Sequence, residues 1–164
     1  MIRRATLSDA PAMMEIYNHH VLHGTATYQE EPETLAHRER WLLSHDNAHP
    51  AFVIENEVGK VVGWSSLSPF HPRSAYRFTV ENSIYLHHEQ RGRGLGSQLL
   101  EHLIQVATEA GHRQIVALIS SDQPASIRLH EKFGFHKAGH LRDVGLKFGR
   151  WLSLDLWQLS LEPK

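Results

Sequence analysis

The chain of 164 residues carries 17 Lys and Arg against 18 Asp and Glu, a formal charge of -1, and no cysteine. This balance excludes an overall field that would draw the molecule to nucleic acid or an anionic membrane, and the missing thiols exclude a disulfide framework and a cysteine nucleophile. With 41% hydrophobic residues, no apolar run of about twenty residues and no signal-like start, residues 1–164 read as one domain of a cytoplasmic protein.

In chain order, Ile2 to Ala5 reads as a short strand. Ser8 or Asp9 then caps a helix with Pro11 in its first turn, with Met13, Ile16 and His20 on one face and Gly24 at its end. A second helix spans about Glu33 to Ser44, with Pro32 near its start and Leu35, Trp41 and Leu42 as its apolar members. Ala51 to Glu55 and Lys60 to Ser68 flank Asn56-Glu57-Val58-Gly59, which predicts a hairpin. Arg77 to Leu86 is a long strand with Phe78, Val80, Ile84 and Leu86 on one parity and Arg77, Thr79, Glu81, Ser83 and Tyr85 on the other. A helix from Leu95 to Ala110, stopped by Gly111, and a strand at Gln114 to Ile119 complete a β-α-β unit. Pro124 opens a further helix that ends at Phe133-Gly134, and strands at about Lys137 to Val144 and Trp151 to Leu161 close a mixed α/β chain.

The segment Gln90-Arg91-Gly92-Arg93-Gly94-Leu95-Gly96-Ser97 joins the long strand to a helix whose apolar face is Leu95, Leu99, Leu103, Val106 and Ala107. The first turn of a helix presents unpaired N–H groups at the positive end of its dipole, glycines let an anion come close, and Arg91 and Arg93 add charge-assisted donors suited to a pyrophosphate. Spacing removes two rivals. There is no Gly-x-x-x-x-Gly-Lys-[Ser/Thr] for nucleotide hydrolysis, and the third glycine comes one residue too early for a dinucleotide site. A solvated Gly-rich connection is the plain alternative. Fourteen histidines, with His19 and His23 four apart on the first helix, raise the question of a metal. With no His-Glu-x-x-His and no cysteine, and no carboxylate recognised at a ligand spacing, the reading along the chain favours surface histidines and no metal.

Arg91-x-x-Gly94-x-Gly96 resembles the [Gln/Arg]-x-x-Gly-x-[Gly/Ala] signature of the GNAT N-acetyltransferases, in the same strand-to-helix position. Tyr76-Arg77-x-Thr79-Val80-Glu81-x-Ser83-Ile84-Tyr85, Ala125-Ser126-Ile127-x-Leu129-His130-Glu131-x-x-Gly134-Phe135 and Val144-Gly145-x-Lys147-Phe148-Gly149-x-Trp151 resemble the phosphinothricin and methionine sulfoximine (or sulfone) acetyltransferase subfamily. The resemblance covers nearly the whole chain. It implies a mixed, splayed sheet with helices on both faces, acetyl-CoA in the splay as cosubstrate, and a small amino-acid-like amine as acceptor.

Carried over by position, Ile84, Tyr85 and Leu86 should pair their backbone with the pantetheine arm, and Gly92, Arg93, Gly94, Leu95, Gly96 and Ser97, with Arg91, should hold the pyrophosphate. Gln123 and Ser126 should contact the cofactor, Gln123 standing where the family usually has Asn. Glu81 takes the position of the general base, with a water as a possible relay; the alternative is a strand carboxylate paired with Arg77, which would lower its pKa. A backbone N–H near Leu86 should meet the oxyanion. His130 stands where relatives protonate the leaving thiolate, or else only contacts the cofactor or packs beside Phe133. Arg73, Ser74, Ala75, Tyr76, Arg77 and Thr79 fall in the substrate segment, and Tyr28 overhangs the substrate or simply packs. Lys147 and Trp151 belong to a pocket rim or a homodimer contact. The competing readings are transfer to another small amine or a protein N-terminus, or a non-catalytic acyl-CoA sensor. A nucleic-acid module fails for want of a basic stripe.

Overall fold

The computed structural model describes residues 1–161. Its seven strands form one sheet in the order β1-β2-β3-β4-β5-β7-β6. They are β1 (Ile2–Arg4), β2 (Ala51–Glu55), β3 (Val61–Pro69), β4 (Thr79–Leu86), β5 (Gln114–Ser120), β6 (His136–Lys147) and β7 (Arg150–Ser160). Four helices, α1 (Ala10–His23), α2 (Leu35–Leu43), α3 (Leu95–Glu109) and α4 (Pro124–Lys132), lie between them. Only β4 and β5 run parallel, because α3 carries the chain back across the sheet between them. This is the mixed α/β sheet expected from the sequence.

The alternation of the strands divides the core between two faces. On one, α3 buries Leu99, Leu100, Leu103 and Ala107 completely, the last three against Phe52, Leu67, Val80 and Ile115 and Leu99 against Ile54 and Val62. On the other, Met13 and Ile16 of α1 and Leu42 of α2 pack with Ala51, Val53 and Trp64, and the Trp64 indole N–H donates to the Met13 carbonyl at 3.2 Å. Each fully buried leucine of this kind is worth about 2–5 kcal/mol against alanine.

Several boundaries shift for local chemical reasons. Asp9 does not cap α1 through its side chain. Its carboxylate turns back to the Thr6 N–H at 2.8 Å and to both terminal nitrogens of Arg3 at 2.8 Å, so a short 3-10 turn, Leu7–Asp9, precedes the helix. α2 starts at Leu35 instead of Glu33 because Thr34 caps it, its hydroxyl accepting from the His37 N–H. β4 starts at Thr79 instead of Arg77, the preceding Ser74–Tyr76 being a 3-10 turn closed by Arg77 N–H to Ser74 O. β6 extends to Lys147, beyond the expected end at Val144, with irregular register between Leu141 and Gly145.

Candidate active site

The site is made by strands that stop pairing. β4 meets β5 only over Thr79, Val80 and Glu81, opposite Gln114, Ile115 and Val116. β4 then stays with β3 as far as Leu86, while β5 stays with β7 as far as Ser120. The His87 N–H donates to Val62 O at 2.9 Å and the Phe70 N–H to Thr79 O at 3.3 Å, which fixes the odd-numbered residues of β4 as the ones bonded to β3. By the antiparallel alternation, Asn82, Ile84 and Leu86 aim their backbone groups at the opening. A cavity of about 380 Å³ fills this wedge, walled by Glu81 to Leu86 on one side and Ala117 to Ser120 on the other.

At one end of the cavity lie Arg91, Gly92, Gly94, Gly96 and Ser97. Gly92 and Gly94 both have φ +76°, and no atom lies within 4 Å of where a Cβ would stand; only glycine makes this turn without strain. Gly94 caps α3 with no side-chain acceptor, so the first amides of the helix are uncommitted donors. Gly96 has a different constraint: a Cβ there would lie 3.3 Å from Leu129 Cδ2, so its smallness sets the approach of α4 to α3. Arg91, though exposed, lines the cavity, its Nη2 3.5 Å from His20 Nδ1. Arg93 is exposed and, with Leu95, does not line the cavity, which departs from the expected contacts.

At the other end, Glu81 is partly buried and its carboxyl pKa is raised by that burial. Arg77 does not pair with it. The Arg77 guanidinium donates to the Ser74 carbonyl at 3.2 Å and lies over the Phe78 ring. On the same parity Tyr85 packs edge-on against Tyr17 at 5.1 Å, and burial raises its hydroxyl pKa too.

His130 and Asn82 form the inner wall. The Ser126 carbonyl, 2.8 Å from His130 Nδ1, can only accept, so Nδ1 carries the proton. Nε2 then accepts from Asn82 Nδ2 at 3.0 Å. Burial lowers the imidazole pKa, so the ring is neutral, with both nitrogens engaged and no proton directed at the cavity. Among the described residues Asn82 Oδ1 is buried without a partner.

The other expected residues divide between the cavity and its surroundings. Gln123 and Ser126 line the cavity, but the Gln123 amide donates to Thr25 Oγ1 at 2.8 Å, and Thr25 in turn donates to Asp122 at 2.8 Å. Arg73, Ser74, Ala75, Tyr76 and Arg77 are all exposed, and neither they nor Thr79 line the cavity. The 3-10 turn lifts this segment off the sheet. Tyr28 does not line it either: its hydroxyl sits 2.9 Å from Ser120 Oγ and 2.8 Å from Ser153 O, and its ring covers Gly145. Lys147 is buried at 2% exposure, donating at 2.8 Å to the Gly24 and Thr27 carbonyls, and so is neither rim nor subunit contact. Trp151 is 64% exposed.

Asn82, His20 and Ser120 are among the lining residues not assigned to the site from sequence. Asn82 left a signal, as the one polar residue in the apolar parity of Phe78, Val80, Ile84 and Leu86. His20 was read as a core-facing helix residue; it is buried, but its Nε2–H donates to the Leu86 carbonyl at 2.9 Å. Ser120, which donates to Asp122 at 2.7 Å, had no signal in the local pattern.

Residues 13–135 match the sequence profile described as the acetyltransferase (GNAT) family. Over 163 residues the chain is 42% identical to an L-methionine sulfoximine/L-methionine sulfone acetyltransferase of Pseudomonas aeruginosa, spanning 99% of this chain and 95% of that protein. The fold is similar to a GNAT superfamily phosphinothricin acetyltransferase from Sinorhizobium meliloti solved in complex with AcCoA, at TM-score 0.93 and 39% identity over 100% and 92% of the two chains. It is also similar to a ribosomal-protein-alanine N-acetyltransferase from Brucella melitensis, at TM-score 0.95 and 40% identity over 98% and 99%.

Proposed function

Because the chain belongs to the acetyltransferase (GNAT) family, we propose that it moves the acetyl group of acetyl-CoA to the α-amine of small amino-acid analogues such as methionine sulfoximine, methionine sulfone or phosphinothricin. One observation carries this reading: a single cleft joins the uncommitted amides of α3, the backbone groups of Ile84 and the N–H of Leu86, which no strand pairs, and a partly buried carboxylate at Glu81. That sequence of groups suits an anionic diphosphate, an amide-containing arm and a reacting amine in turn. Acetyl-CoA supplies the activated acyl group.

In this reading Arg91, Gly92, Gly94, Gly96 and Ser97 hold the diphosphate, and the Ile84 backbone pairs with the pantetheine arm. Glu81, directly or through a water, takes a proton from the ammonium group, since an amine with pKa of about 7.7–8.0 is mostly protonated at pH 7. The freed lone pair attacks the thioester carbon and the Leu86 N–H stabilises the oxygen that gains charge. The C–N bond forms, the C–S bond breaks, and the nitrogen loses a second proton as the CoA thiol regains one. The bonds at both of its nitrogens favour His130 as a fixed part of the wall over a general acid.

The absence of Arg73 and Arg77 from the cleft favours a second acceptor, a peptide N-terminus, which has no α-carboxylate to bind. A thiol-reagent assay of CoA release tests both, using the three analogues beside a peptide beginning with Ala. Turnover of the analogues is the expected result; turnover of the peptide alone transfers the assignment to it, and no release with any acceptor removes both. We also assign the exposed Leu146 and Trp151, directly opposed on β6 and β7, to a homodimer contact. Sedimentation should then report a dimer that Trp151→Asp converts to monomer, and a monomeric unaltered protein removes this contact.

A further inference from the structure

His19 and His23 look isolated along the chain, but the fold brings two more imidazoles to them. The turn that follows β4 sets His88 face to face on His19, with ring centroids 4.0 Å apart at 10°. His87 stacks on His88 at 4.5 Å, and His23 leans on His19 at 4.8 Å. Between α1 and this turn lies a second cavity of about 60 Å³, lined by Glu15, Ile16, His19, His87 and His88 and separate from the acetyl-transfer cleft. Glu15 and His19 are one turn apart and therefore share a face of α1, so a carboxylate and an imidazole from the helix face two imidazoles across this cavity. Independently, one donor atom each of His87, His88 and Glu89 lie within 4.8 Å of one another.

We propose that His87 and His88, with His19 and a carboxylate from Glu15 or Glu89, form a binding site for one transition-metal ion of the zinc class. Imidazole nitrogens and a carboxylate oxygen are the donors that zinc, nickel and copper prefer, whereas magnesium and calcium require mostly oxygen. Zinc–donor distances of about 2.0–2.2 Å place tetrahedral donors roughly 3.4 Å apart. The donors of His87, His88 and Glu89 already lie within 4.8 Å of one another, and rotamer changes at half-buried His19 and exposed Glu15 would bring a further donor to them. The site would tie α1 to the turn His88–Gln90, which leads directly into Arg91. It plays no part in acetyl transfer and stands or falls separately from that reading.

The test is calorimetric titration of protein free of any histidine tag, without acetyl-CoA because its thiol product also binds zinc. Zinc chloride should bind at one ion per chain with micromolar or tighter affinity, and magnesium chloride should not bind. The double substitution Glu15→Gln with His88→Ala should weaken zinc at least roughly tenfold, while His136→Ala, exposed on β6, should leave it unchanged. In NMR spectra of the unaltered protein, the ring signals of His19, His87 and His88 should move with zinc and those of His71 and His136 should not. No zinc binding, equal binding of magnesium, or ring shifts confined to other histidines would overturn the proposal. If the double variant melts early, these ring signals decide the matter; if it stays folded, an unchanged zinc affinity also overturns it.

Discussion

At Glu81 burial raises the proton affinity, and Arg77, the one cation placed to oppose it from sequence, is engaged elsewhere. That combination makes a carboxylate a better base near neutral pH. Glu81→Gln should lower kcat about a hundredfold at pH 7, with KM for acetyl-CoA within about twofold, because the contacts proposed for the diphosphate and pantetheine lie elsewhere in the cleft. The deficit should narrow toward pH 9, where the amine deprotonates unaided. A rate unchanged at pH 7 would end the role of Glu81 as base. Asn82 supports a second residue-level prediction. Its amide donates to an imidazole that burial holds below the ordinary histidine pKa, and Asn82→Asp would replace that donor with an adjacent negative charge. His130 should then titrate about 1–3 units higher by ring NMR; an unmoved titration would show that the two side chains do not meet in solution.

Between elements, the connection after α1 is pinned against the β6–β7 hairpin rather than left free over the cleft. Tyr28 lies on Gly145 so closely that an added Cβ would meet the ring at 2.6 and 2.8 Å, and Lys147 ties down two carbonyls of the same segment. Gly145→Ala should therefore cost about 1–3 kcal/mol by overpacking. Tyr28→Ala in the same chain should recover part of that loss, a coupling that thermal melts of the four proteins measure. Strict additivity would mean that ring and strand are not in contact. This contact also shows where reading along the chain stops. The helix α3 was legible because Leu99, Leu103 and Ala107 recur at helical spacing, and the glycine-rich turn before it because its glycines sit between a strand and that helix. The fate of Tyr28 depends on a glycine more than a hundred residues away, and that of Arg73 to Arg77 on whether the strand begins two residues earlier. The opening between β4 and β5 has no local signature, since Ile84 and Leu86 read as strand whether or not a neighbour pairs with them.

For the molecule as a whole, buried neutral imidazoles tie stability to pH in a direction that can be worked out. His130 is 4% exposed, with both nitrogens committed. His45 donates from Nδ1 to the Trp41 carbonyl, while its Nε2 is buried with no partner among the described residues. Burial lowers the pKa of both in the folded chain, whereas in the unfolded chain they titrate near 6.5. Between the folded and unfolded values the unfolded state binds more protons, so unfolding becomes easier as pH falls. The contribution is fully present above about pH 6.5 and is lost progressively below it, at up to about 1.4 kcal/mol per pH unit for each ring until its folded pKa is reached. Asp9 and Asp155 act lower on the scale. For Asp9 hydrogen bonds from Arg3 come first, whereas for Asp155 burial pushes upward and is outweighed by donors that include Lys137 and His140; both carboxyl pKa values are lowered. Their stabilisation therefore fails only below about pH 4. Urea unfolding between pH 8 and 4 should show a plateau, then a decline that begins near pH 6.5, well above the carboxylate range. His130→Gln, which keeps an amide able to reach Ser126 or Asn82, should flatten the upper part of that decline. An unaltered protein whose stability stays level down to pH 4.5 would show that these rings keep their solution pKa in the fold.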